Sequence, residues 1–193
     1  MRFGLQIPNF TTDETPGALF DGVVAMAGAA EEAGYDSVWV MDHFYQLPPM
    51  GGPSQPMLDA YTLLGALATQ TERVRLGTMV TGVTYRNPAH LAKIAAGVDL
   101  ISRGRLTLGI GAGWFDTEYR QYGWEFPERP AIRIRQLEEA VKLILAMWSN
   151  KRTTIHGKYF HVEDAILEPK PVQRPHPPVM IAGGGTLRAS WIR

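Results

Sequence analysis

Residues 74–111 read VRLGTMVTGVTYRNPAHLAKIAAGVDLISRGRLTLGIG. Two runs rich in Val, Leu and Ile flank a helical segment, which Asn87-Pro88 opens and Gly104 closes. Both runs are too continuously apolar for half-exposed strands, as expected when both faces of a sheet are covered. The segment therefore reads as strand, helix, strand, the crossover that sets two strands parallel.

The same rhythm runs outward from this unit. Comparable runs start near Arg2, Asp36, Val74, Arg105 and Val179, and the first three intervals are 34, 38 and 31 residues. Each is close to the ~30 residues or more of a strand plus its crossover helix. Leu19, Val23, Ala27 and Ala30 recur at helical spacing between Ala18 and Ala33, and Gly34 follows as a cap. Ile134, Leu137, Val141, Ile144, Leu145 and Trp148 share one helical face, with Glu138, Glu139 and Lys142 turned to water. Next, TTIHGKYFHVEDA predicts a hairpin around His156-Gly157-Lys158. The five prolines of EPKPVQRPHPPV predict an extended connector. Together they form an excursion over 150–177 inside a single domain of 1–193. Repeated βα units predict an α/β chain built on a parallel sheet.

Composition narrows the function classes. The 193 residues carry 19 basic and 19 acidic side chains, a net charge of zero, and no cysteine. No surplus of Lys and Arg exists to capture nucleic acid or an anionic membrane. Disulfides, thiolate metal sites and thiol nucleophiles are excluded outright. The opening MRFGLQIPNFTTDE does not fit a secretory signal, and no apolar run approaches the roughly 18 residues of a membrane span. Histidines 43, 90, 156, 161 and 176 show no His-Glu-x-x-His pattern, so no metal is expected. The expectation is a cytoplasmic protein acting on a small molecule.

In parallel βα barrels the loops leaving the C-terminal strand ends build the active site. The second run ends in Asp42-His43, a carboxylate beside the side chain whose pKa lies nearest neutrality. A turn-capping Asp and a surface or core His explain the pair equally. GIGAGW, residues 109–114, lets backbone approach a flat or phosphorylated ligand, with Trp114 and Tyr119 as a wall. Trp114 occupies the third position of a Gly-x-Gly-x-x-Gly fingerprint, so the dinucleotide motif fails. A tight turn with packed aromatics is the structural alternative. Gly183-Gly184-Gly185 before Thr186 suits a phosphate or is simply a pliant end. Gly82-Val83 leaves room for a bulge or a strained peptide, or for an ordinary loop.

In order along the chain, FGLQIPNF, AEEAGYDSVWVMDHF, the 72–123 stretch, LEEAVKLILAMW and EPKPVQRPHPPVMIAGGG resemble the luciferase-like monooxygenase superfamily, in particular its coenzyme F-420-dependent branch. Asp-His-Phe, Arg-Asn-Pro and Gly-Trp-x-x-x-Glu-Tyr carry the resemblance. It implies a TIM-type (β/α)8 barrel that binds a deazaflavin or flavin at its C-terminal strand ends. Asp42 and His43 match cofactor-contacting positions, with His43 as catalytic acid/base. Gly82 and Val83 match a non-prolyl cis peptide behind the ring. Glu118 matches a glutamate near the cofactor, and Gly183, Gly184 and Gly185 match contacts to its phosphate-bearing tail. Members that oxidise glucose 6-phosphate have a carboxylate where Trp114 stands and a tryptophan where Leu47 stands, which speaks against a sugar-phosphate dehydrogenase. The resemblance implies hydride transfer between coenzyme F-420 and a small organic substrate. The alternatives are an FMN-dependent monooxygenase and an inactive cofactor-binding fragment. Asn9, Trp114, Tyr119 and the loop from Tyr45 to Gln55 are the expected substrate lining. Five strands of eight are countable, in a length below the roughly 250 residues of a whole barrel. A partial barrel exposes strand edges, so a homo-oligomer or a complementing chain is expected.

Overall fold

The computed structural model describes residues 1–10, 15 and 17–183. In chain order it contains β1 (Gly4–Ile7), α1 (Leu19–Glu32), β2 (Ser37–Val40), α2 (Ala60–Gln70), β3 (Arg75–Thr78), β4 (Thr81–Gly82), α3 (Pro88–Ile101) and β5 (Leu106–Gly111). There follow α4 (Asp116–Gln121), α5 (Pro130–Ser149), β6 (Thr153–His156), β7 (His161–Ala165) and β8 (Val179–Ala182). Every strand except β6 and β7 joins one parallel sheet. Its edges are β1 and β8, and it is not closed into a barrel.

β3 and β4 are one barrel strand interrupted by a bulge. Gly77 lies opposite Thr107, and Thr81 lies opposite Ile110. Four steps on one strand therefore match three on its neighbour, so one residue is extra. β8 pairs along the other edge of β5 at the same residues, which keeps β4 on the β3 side. The extra residue falls at Met79-Val80, whose peptide is cis. This corrects the expectation that Gly82-Val83 carries the cis bond. Gly82 and Val83 instead lie beyond the bulge, where the ladder has resumed: Gly82 pairs with Gly111, and Val83 N–H donates to Gly111 C=O at 2.9 Å. Thr78 Oγ1 donates to Gly109 C=O at 2.7 Å, drawing the bulge onto β5. Only a glycine fits there, since a Cβ at Gly109 would sit 1.8 Å from Thr78 O.

Helices cover one face of the sheet. Val38, Val40, Leu76, Leu106 and Ile110 belong to one buried cluster with Val23, Leu64, Leu67, Leu91, Ala95 and Ile144. Asn87 caps α3 as its sequence predicts, its side chain accepting from Ala89 N–H at 2.9 Å, with Pro88 in the first turn. α2, a helix not expected from the sequence, is capped by Asp59, which accepts from Thr62 N–H at 2.8 Å. On the opposite face Trp39 lies across Gly4 and Gly77, where a Cβ would approach its ring atoms to 2.7 and 2.6 Å.

The excursion is tied down by two carboxylates. β6 and β7 form an antiparallel pair. Glu139 of α5 accepts from the N–H groups of Lys158, Tyr159 and Phe160 at 3.0, 2.8 and 2.6 Å. Buried Asp99 of α3 accepts from Val172 N–H at 2.7 Å and Gln173 Nε2 at 2.7 Å. The proline-rich stretch is thus fastened to the helical layer before it enters β8.

Candidate functional site

Every candidate on the described residues lies in a segment that leaves a strand at its C-terminal end, because parallel strands deliver all such loops to one rim. Two residues beyond β2, Asp42 is 1% exposed. Burial pushes its carboxyl above the ordinary range, and Arg86 resists. Arg86 binds it bidentately, Nη1 to Oδ2 at 2.6 Å and Nη2 to Oδ1 at 3.0 Å. The same guanidinium reaches Asp59 at 2.7 Å and lies 4.8 Å from the centre of the Tyr61 ring. Both Asp42 oxygens are thereby committed to the loop that follows β4.

His43 turns the other way. Its Nδ1 is 2.9 Å from Glu118 Oε2, and its side chain is 11% exposed. Glu118, in the first turn of α4, is fully buried and accepts twice more. Phe44 N–H donates to Oε1 at 2.8 Å, and Tyr85 O–H donates to Oε2 at 2.5 Å. In the neutral ring, a carboxylate facing Nδ1 places the proton there and leaves Nε2 as the acceptor nitrogen. The rings of Trp114 and Phe115 stand edge-on to His43 at 6.0 and 6.1 Å. Trp114 is 64% exposed, so it offers an open aromatic face beside the imidazole. Tyr45 O–H, in the same loop and 5.9 Å ring to ring from Phe115, is buried without a partner among the described residues.

The expected residues do not all meet at one place. His43 and Trp114 meet at the rim, with Glu118 behind His43 rather than at an open surface. Asn9 follows β1 and donates from Nδ2 to Met50 C=O at 3.2 Å, joining the first loop to the Tyr45–Gln55 segment. Gly183 is exposed just past β8, while Gly184 and Gly185 lie outside the described residues. Tyr119 corrects the expectation of a lining residue. It is fully buried, accepts from Thr84 Oγ1 at 2.8 Å, and stacks on Tyr85 and Phe126. α4 turns Glu118 toward His43, and the adjoining Tyr119 then points into the core, its phenol pushed up to about 12 by burial.

Tyr85 and Arg86 went unread in the sequence as site residues. Arg86 had a signal, since an acid at a buried strand exit needs a cation and Arg-Asn-Pro supplies one. Among the described residues no cluster of three or more His, Asp or Glu is placed to hold a metal ion, and no helix is long and apolar enough to cross a membrane.

A basic nitrogen, an open indole face and an unpaired phenol on one rim fit a planar redox ring with an exchangeable proton. Comparisons with known proteins agree with that chemistry. Residues 1–190 match the luciferase-like monooxygenase family profile. The chain is 39% identical over 170 residues to an F420-dependent glucose-6-phosphate dehydrogenase of Amycolatopsis mediterranei, covering 88% of this chain and 49% of that protein. Among solved structures it resembles an F420-dependent secondary alcohol dehydrogenase bound to an F420-acetone adduct, at a TM-score of 0.78 and 29% identity, over 94% of this chain and 52% of the other. It also resembles monooxygenase RslO1 of Streptomyces bottropensis, at a TM-score of 0.79 and 26% identity, over 94% and 53%. The chain spans about half the length of these relatives.

Proposed function

We propose a function from one premise: the chain belongs to the luciferase-like monooxygenase family. It carries the histidine-bearing part of a site for hydride transfer between coenzyme F-420 and a small organic substrate, an alcohol or its matching carbonyl. The observation that carries this reading is the His43–Glu118 hydrogen bond, which fixes the imidazole beside Trp114 and, in the neutral ring, directs its proton to Nδ1. Bound there, a deazaflavin would supply hydride acceptance and donation. His43 Nε2 takes the proton of the substrate hydroxyl as hydride leaves its carbon, and returns that proton in the reverse direction. Trp114 and Phe115 stand edge-on to the imidazole from one side and give a substrate apolar surface beside it. Asp42 holds the rim through Arg86, and exposed Gly183 offers backbone approach to the cofactor's tail.

The relatives named for glucose 6-phosphate and for a secondary alcohol both support F-420 chemistry. Trp114 and the buried Leu47 favour a substrate other than a sugar phosphate. A second reading, FMN with oxygen, is supported by the likeness to the Streptomyces monooxygenase. We place the chain in the cytoplasm. The unpaired edges of β1 and β8 favour completion by further strands, from a second copy or a complementing chain.

Titration of the purified chain with F-420 and with FMN, followed by cofactor fluorescence, tests the assignment. Binding of F-420 that His43→Ala weakens at least tenfold is the expected result. Tight FMN binding without F-420 binding overturns it in favour of the second reading. Light scattering behind size exclusion reads the oligomeric state, and a monomer that binds cofactor removes the need for added strands.

A further inference from the structure

We propose that Tyr85 is a positioning residue for His43: by sharing Glu118 Oε2 with the imidazole, it sets how firmly the carboxylate holds Nδ1. Its importance for turnover rests on the proposed function, whereas the test below needs no cofactor.

The argument begins with Glu118. A fully buried carboxylate is costly unless donors surround it. Glu118 has three, the Phe44 N–H on Oε1 and the Tyr85 O–H and His43 Nδ1–H together on Oε2. Two donors on one oxygen compete for its charge. The Tyr85 bond, at 2.5 Å, is the shorter, and His43 takes what remains at 2.9 Å. Tyr85 thus limits the pull of Glu118 on the imidazole proton.

Tyr85 has little freedom to let go. Its ring meets Phe44 at 4.7 Å, Tyr119 at 4.9 Å and Trp124 at 6.2 Å. Beneath it lies Gly82, where a Cβ would come within 2.9 Å of Tyr85 Cε2. The glycine of β4 therefore makes the space that brings the phenol to the carboxylate. Burial and the bond to Glu118 raise the phenol pKa far above its ordinary value, so Tyr85 remains a donor at any pH the protein meets. Tyr85, Glu118 and His43 come from three successive rim segments, after β4, at α4 and after β2. The contact couples the bulged strand to the orientation of the imidazole.

A merely structural tyrosine would change stability when replaced and leave the imidazole proton as it was. The experiment is 15N and 1H NMR of the histidine rings in the cofactor-free chain, with the imidazole neutral, for the wild type, Tyr85→Phe and Glu118→Gln. In the wild type His43 is expected in the Nδ1–H form, with a nuclear Overhauser contact between Hδ1 and the Tyr85 hydroxyl proton. Tyr85→Phe, which keeps the ring packing, is expected to move Hδ1 further downfield because Glu118 is left to His43 alone. Glu118→Gln is expected to lose the exclusive Nδ1–H form. A wild-type His43 protonated at Nε2, or an Hδ1 unmoved in Tyr85→Phe, overturns the proposal. Should Tyr85→Phe prove insoluble, the wild-type tautomer and the Overhauser contact decide on their own. A chain that passes this test yet binds neither F-420 nor FMN retains the positioning role and loses the proposed function.

Discussion

Replacing Arg86 by methionine isolates what the buried ion pair contributes. Asp42 is 1% exposed and its two oxygens face Nη1 and Nη2 at 2.6 and 3.0 Å. Methionine retains most of the aliphatic stem and removes the guanidinium, leaving a charged carboxylate without its counterion. Breaking one side of such a pair costs about 3–5 kcal/mol. The lost contact with Asp59 adds little, because that carboxylate is half exposed. Set against a typical total of about 5–15 kcal/mol, the variant is marginal at neutral pH. Urea unfolding followed by tryptophan fluorescence measures the deficit. Adding Asp42→Asn removes the stranded charge and is expected to recover more than half of it. The pH dependence has a definite sign. Burial raises the folded-state pKa of Asp42 above its unfolded value near 3.9, and loss of Arg86 raises it further. The penalty is then full above the folded pKa, shrinks as pH falls toward the unfolded value, and is gone below it, where the carboxyl is protonated in both states. A deficit below about 1 kcal/mol at pH 7, or one that grows on acidification, refutes the reasoning.

Gly109→Ala should cost about 3 kcal/mol or prevent folding, since the added methyl would meet backbone oxygen at 1.8 Å; an unchanged urea midpoint would contradict this. Glu139→Ala removes the acceptor shared by three hairpin N–H groups, and amide exchange at Lys158, Tyr159 and Phe160 should accelerate at least about tenfold while the β5 core stays protected. At alkaline pH the tyrosines give a third check. With Tyr119 pushed up to about 12, its stabilising contribution is full below about pH 10 and is lost as pH rises from there to 12, on the order of 3 kcal/mol in all. Phenolate absorbance should accordingly show Tyr61, Tyr85 and Tyr119 ionising after the exposed tyrosines, together with a falling urea midpoint.

β3 and β5 were legible because burial on both sides writes itself as an unbroken apolar run, and Asn87-Pro88 marks a helix start in two residues. α2 buries Ala60, Tyr61, Leu63, Leu64, Leu67 and Ala68 on one face, and it escaped because the other side, Thr62, Gly65, Ala66 and Thr69, is small and uncharged and contrasts little with it. Asp42, His43, Glu118 and Trp114 were readable as a family pattern at strand exits. Their pairing was not, since Glu118 meets His43 across 75 positions and Arg86 meets Asp42 across 44. The family resemblance also misplaced the cis peptide. Its position depends on which residue the ladder of β5 leaves unmatched, and that register exists only between strands. Tyr119 misled because an aromatic beside a glycine loop looks the same whether it faces a ligand or the core.

The long interval between β5 and β8 has a consequence for synthesis on the ribosome. β2, β3 and β5 each pair with a strand made one crossover earlier, whereas Gly111 and Val179, the end of β5 and the start of its last partner, are separated by all of α4, α5 and the hairpin. At about 5–20 residues per second, the outer edge of β5 waits for several seconds before its partner emerges. In that window an unpaired apolar strand is a template for misassembly with a neighbouring nascent chain. Translation speed over residues 112–178 therefore governs yield more sensitively than speed over any earlier stretch of the message.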